Sequence, residues 1–77
     1  MCLRMDIREA FGGNLKHYRL KVGISQDALA AKMGVDRAHI SAMERGQQNV
    51  TIVTLWHVAL ALDVKPAALL DDQPREQ

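Results

Sequence analysis

The side chains in this sequence best suited to chemistry are polar forks, with no nucleophile set among them. Arg37 carries a planar guanidinium whose paired N–H groups match the O6 and N7 acceptors of guanine, and the same group can bind a phosphate instead. Ser41, one helical turn further on, can donate to or accept from either strand and so specifies little. Arg45, Gln47, Gln48, Asn49 and Thr51 follow, and with His39 they make a polar run of the kind that meets a nucleic-acid backbone. Enzymatic chemistry finds no comparable grouping. His17, His39 and His57 lack the close pairing of metal ligands, and the single cysteine, Cys2, cannot build a disulfide or a thiolate cage within the chain. There is no nucleophile–base motif, glycine-rich phosphate loop or carboxylate pair. The expectation is a non-enzyme with no cofactor, metal or small-molecule ligand.

These groups need a support, and Ser25 to Glu44 supplies it. Ser25 is a good N-cap, because its hydroxyl can accept from an orphan amide at a helix start, and Gln26 and Asp27 follow in the first turn. Leu29, Ala30 and Met33 mark one apolar face at helical spacing. Gly34 ends that helix, since glycine enters the left-handed region at little cost. Asp36 caps the next helix, in which Ile40 and Met43 face inward and Arg37, Ala38, Ser41 and Ala42 face outward. Two short helices joined by a tight glycine turn form a helix-turn-helix, whose second helix enters a DNA major groove.

The flanking segments read as further helices. Asp6 caps a first helix running to about Val22, with Ile7, Phe11, Leu15, Tyr18 and Val22 inward and Gly23 as the stop. Gly12 and Gly13 sit inside it at a cost of roughly 1 kcal/mol each relative to alanine. Close packing against another helix would excuse Gly12, whereas Gly13 has no reading beyond a bend. Gly46 to Val50 is a polar loop. Thr51 caps a fourth helix with Ile52, Leu55, Ala59 and Leu62 on its inner face, Asp63 and Val64 link onward, and Pro66 opens a last helical turn docked by Leu69 and Leu70. The expected organisation is a loose N-terminus over 1–5, one all-α domain of five helices over 6–70, and an acidic tail over 71–77.

Composition agrees with a small helical domain. The chain has 77 residues, 48% hydrophobic and 25% charged, rich in alanine and leucine and poor in aromatics. A single core is only marginally stable at this length, so dimerisation would help. No long apolar run suggests a membrane span or signal peptide, and the lone cysteine fits a reducing setting, so a soluble, cytoplasmic protein is expected. Net charge is only +1. It is polarised, however: residues 14 to 45 hold six basic side chains against three acidic, and the stretch from Asp71 holds three acidic against Arg75. Weak non-specific DNA binding at physiological salt follows, with affinity relying on two subunits together.

The spaced set Arg19, Gly23, Ser25, Gln26, Leu29, Ala30, Gly34, Val35, Ile40, Ser41, Glu44 and Gly46, then Asn49, Thr51, Leu55, Ala59 and Leu62, resembles the phage repressor and Cro family, also called xenobiotic-response-element type regulators. The match covers roughly residues 11 to 70. It implies a compact repressor-like fold, double-stranded DNA as partner and homodimers on near-palindromic operators. It also implies a buried ion pair between Arg19 and Glu44, base contacts from Arg37, Ala38, Ser41 and Ala42, and phosphate contacts from Ser25, Gln26, His39, Arg45, Gln47, Gln48, Asn49 and Thr51. Alanine offers only a methyl group to thymine, so Ala38 and Ala42 equally read as residues that simply allow close approach. Small relatives serve as restriction-modification controllers, phage switch proteins and antitoxins. Relatives often carry lysine or arginine where this chain has Gln47, Gln48 and Asn49.

Val53, Trp56 and Leu60 depart from the family pattern, forming a second apolar stripe on the fourth helix where polar residues are usual. One reading makes the stripe a self-association surface, joined by Leu69 and Leu70; the other has Met1, Leu3 and Met5 fold over it. The same stripe supports an alternative function, a protein-interaction module that docks a toxin or other partner with DNA binding secondary.

Overall fold

The structure, a computed structural model, describes residues 6–71. The expectations placed on 1–5 and 72–77, including cover of the stripe by Met1, Leu3 and Met5, lie outside the described residues.

Local chemistry sets the helix boundaries much as the sequence suggests. Helix α1 spans Ile7–Val22, and the Asp6 carboxylate accepts from the Arg8 backbone N–H. The Arg8 guanidinium also grips that carboxylate, and these bonds lower its pKa from the ordinary 3.8 to about 2. Helix α2 spans Gln26–Met33, with Ser25 Oγ accepting from Ala28 N at 3.0 Å. Helix α3 spans Arg37–Glu44; Asp36 holds the N-cap backbone conformation but makes no side-chain capping bond. Helix α4 spans Ile52–Leu62, capped by Thr51 Oγ1. Gly23 and Gly34 close α1 and α2 in the left-handed region, and Asp63 does the same for α4 at φ 58°, a conformation aspartate tolerates better than most side chains.

The expected fifth helix is a 3₁₀ helix over Pro66–Leu70, so the fold has four α-helices and a closing 3₁₀ turn. Pro66 brings no N–H, and five residues are too few for a run of i→i−4 bonds; Ala68 N instead reaches back three residues to Lys65 O at 2.9 Å.

Phe11 and Leu15 of α1, Leu29 and Ala30 of α2, Ile40 and Met43 of α3, Val58, Ala59 and Leu62 of α4, and Leu69 form one core. Tyr18, Met33 and Leu55 pack half-buried against it, while four residues expected to face inward, Ile7, Val22, Ile52 and Leu70, are exposed. Ile7 and Val22 share the apolar face of α1 but are 57% and 51% exposed, because they stand at the two ends of a helix about 24 Å long whose packing neighbours, α3, α4 and the closing 3₁₀ turn, leave those ends open. Ile52 is 80% exposed, as it lies at the edge of the face centred on Leu55, Ala59 and Leu62. Ile7 and Ile52 both line an open apolar groove of about 240 Å³ with Phe11, Val50, Leu55 and Leu70.

Leu69 requires the opposite correction. Assigned to a dimer interface, it is fully buried, and Asn14 helps explain why. The buried Asn14 amide donates to Leu69 O at 2.9 Å and Asp71 O at 2.7 Å, stapling the closing turn onto α1 and driving the leucine inward. No helix among the described residues is long and apolar enough to cross a membrane.

Candidate nucleic-acid interface

Helix α3 is fixed to the rest of the molecule at its far end. There the backbone comes so close to α1 that a Cβ on Gly12 would stand 2.3 Å from Met43 O and 2.7 Å from Glu44 O. Only glycine admits that approach. It brings Arg19 beside Glu44, and Arg19 Nε and Nη2 donate to the two carboxylate oxygens while Nη1 donates to Ile24 O at 2.9 Å. Both side chains are more than nine-tenths buried, so the pair has left water and depends on this full set of partners.

The pair continues outward to the exposed surface. Gln26 Nε2 donates to Glu44 Oε1 at 3.0 Å, and Gln26 Oε1 accepts from Arg37 Nη1 at 3.2 Å. Arg37 Nε lies 3.4 Å from Asp27 Oδ1. A chain of contacts thus runs from the buried Arg19 to the exposed Arg37 at the amino end of α3. Arg37 and Ala38 are exposed, while Ser41 and Ala42 are half-buried. Ser41 Oγ already accepts from Arg45 Nη1, which leaves its proton and one lone pair to offer a partner.

The other expected contact residues surround this helix unevenly. Arg45 Nε also donates to Gln47 Oε1 at 3.3 Å. Asn49 Oδ1 accepts from Arg8 Nη1 at 3.2 Å, tying the α3–α4 loop to the start of α1. Gly46, at φ 74°, packs the same loop on Glu9. His39 and Gln48 are half-buried. The Thr51 hydroxyl is committed, accepting from Thr54 N and donating to Thr54 Oγ1, so its backbone N–H is the group left for an anion. Sequence reasoning missed Arg8 and Asp27, whose roles arise from proximity across elements rather than from any local pattern.

The helix-turn-helix family HTH_3 matches residues 15–69. The chain belongs to this family, of the phage repressor and Cro type. Among relatives of this family member, the control protein C.SmaI of Serratia marcescens is 39% identical over 69 residues, covering 90% of this chain and 82% of that protein. Solved structures agree. The restriction-modification controller C.AhdI from Aeromonas hydrophila superposes with a TM-score of 0.77 at 40% identity, over 80% of this chain and 94% of that one. The controller C.Esp1396I, solved as a tetramer in complex with its natural 35 base-pair operator, gives 0.75 at 30% identity, over 86% and 87%. This family of transcriptional regulators accounts for the exposed helix and its anchored far end.

Val53, Trp56 and Leu60 of α4 are 58%, 51% and 60% exposed, so no described residue covers the stripe. Ile52 lies at the edge of the same face and extends it.

Proposed function

We propose that this regulator binds double-stranded DNA sequence-specifically as a homodimer, with α3 in the major groove of each half of a near-palindromic operator. The observation that carries the reading is an exposed Arg37 at the amino end of a helix whose other end is locked to α1 by Arg19 and Glu44. Two such helices, held about 34 Å apart, meet successive major grooves on one side of the duplex. Arg37 supplies the guanine contact, Ser41 a non-selective hydrogen bond, and Ala38 and Ala42 room and methyl groups. Ser25, Gln26, His39, Arg45, Gln47, Gln48, Asn49 and Thr51 meet phosphates, several through backbone amides at helix starts. The similarity to control proteins favours a restriction-modification circuit acting in the cytoplasm.

Gel-shift titration with the DNA upstream of its own gene, and with a random duplex pool, tests the reading; no salt-sensitive binding to either overturns it. Arg37→Ala should relax preference at one base pair, at a cost of about 1–3 kcal/mol, and leave the remaining positions unchanged.

The exposed stripe serves self-association in this reading, with Val53, Trp56 and Leu60 facing a second copy. Sedimentation of Trp56→Glu should yield monomers from a dimeric parent, and an unchanged dimer would place the interface elsewhere. The second reading, a module docking a toxin-like protein partner, rests on the same stripe. It gains ground if a monomeric parent binds no DNA.

A further inference from the structure

Asp27 stands out as an acidic side chain beside the helix proposed to enter the DNA groove. It is 80% exposed on the first turn of α2, next to the arginine expected to read a base. A carboxylate placed there repels nearby phosphates, so it weakens general attraction to DNA. Its partner explains what it contributes. The Arg37 guanidinium has five N–H donors; Asp27 lies against Nε, and Gln26 takes one of the protons of Nη1. Enough donors remain for a bidentate contact, and the two contacts bias the fork toward one orientation before any base arrives. Gln26 is itself held by the buried Glu44, so the clamp has one rigid jaw and one charged jaw.

We propose that Asp27 is a positioning residue that determines specificity: with Gln26 it orients the Arg37 fork toward a single base pair and offsets the arginine's attraction to phosphates in general. Both effects act on the ratio of specific to non-specific binding. Orientation raises the first, because less of the long side chain's freedom is lost on contact. The neighbouring carboxylate lowers the second, an element that acts against wrong partners. This inference rests on the DNA-binding reading above.

The test selects duplexes from a random pool with the unaltered protein, then measures anisotropy binding of that protein, Asp27→Ala, Asp27→Asn, Arg37→Ala and Asp27→Ala/Arg37→Ala to the selected duplex and its single-pair variants. Asp27→Ala should lower discrimination by about two- to fivefold, as expected for an exposed charged contact, and only at the pair that Arg37→Ala relaxes. Its affinity for unrelated duplex should stay level or rise. The double variant should discriminate no worse than Arg37→Ala alone, because Asp27 acts through that arginine. Asp27→Asn should keep part of the discrimination while matching Asp27→Ala on unrelated duplex. Unchanged discrimination in Asp27→Ala, loss spread over several pairs, or loss that adds in full to that of Arg37→Ala overturns the role of Asp27 and leaves the DNA-binding reading intact. Absence of any base preference in the unaltered protein overturns both.

Discussion

Glu44→Ala is expected to lower the stability of the fold by about 3–5 kcal/mol, the loss typical when one member of a buried ion pair is removed. The loss comes mainly from what stays behind. Arg19 is 7% exposed and would keep a single bond, to Ile24 O, for a buried guanidinium. Gln26 would lose its anchor at the same time. A small domain has on the order of 5–15 kcal/mol in total, so this one substitution removes a large share. At about 4–8 °C per kcal/mol for a domain of this size, the melting temperature should fall by at least about 12 °C, measured by circular dichroism. Replacing both partners with apolar residues of similar volume should recover much of the loss, since the pair fixes geometry more than it adds stability. A Glu44→Ala protein that melts within about 3 °C of the parent would show that the pair is solvated and that α3 is held by other contacts.

The second large effect is expected at Gly12. Alanine is the better helix former by about 1 kcal/mol, so a surface site would gain from Gly→Ala. Here the added Cβ would meet two backbone carbonyl oxygens at 2.3 Å and 2.7 Å, and neither can rotate away. Relief requires α1 and the end of α3 to separate by about 1 Å, against typical overpacking costs of about 1–3 kcal/mol and occasionally more. The separation also strains the bond set of Arg19, which bridges the same two elements. We therefore expect Gly12→Ala to be destabilising by about 2 kcal/mol despite the gain in propensity, read as a lower urea midpoint at unchanged slope. Weaker operator binding should accompany it, because the tilt of α3 is set at this contact. A midpoint at or above that of the parent would show that the two helices yield cheaply.

Helix starts and stops were legible because their causes lie within a few residues. Asp6, Ser25 and Thr51 each accept from an amide two or three positions ahead, and Gly23 and Gly34 turn the chain through a conformation that other residues resist. The inward faces of α2 and α3 followed from periodicity alone. Asp36 shows the limit of such reasoning: residue type and backbone fit a cap, yet the carboxylate makes no capping bond. Ile7, Val22 and Ile52 show another limit. Their spacing is correct, but burial requires a neighbour opposite, and α1 outruns the helices that cover it.

The sequence by itself determined where the four α-helices lie, which short helix is displayed, and the family, since these follow from local capping chemistry and a spaced set of residue types. Tertiary structure decided everything that depends on which elements meet. It put the carbonyls of α3 on Gly12, used Asn14 to turn Leu69 into core, and left the Val53, Trp56 and Leu60 face of α4 uncovered by described residues. It also linked Arg19, Glu44, Gln26, Arg37 and Asp27 into one chain of contacts. The physical reason is that capping acts over one helical turn, whereas these contacts join side chains from three helices, whose relative placement follows from packing the core.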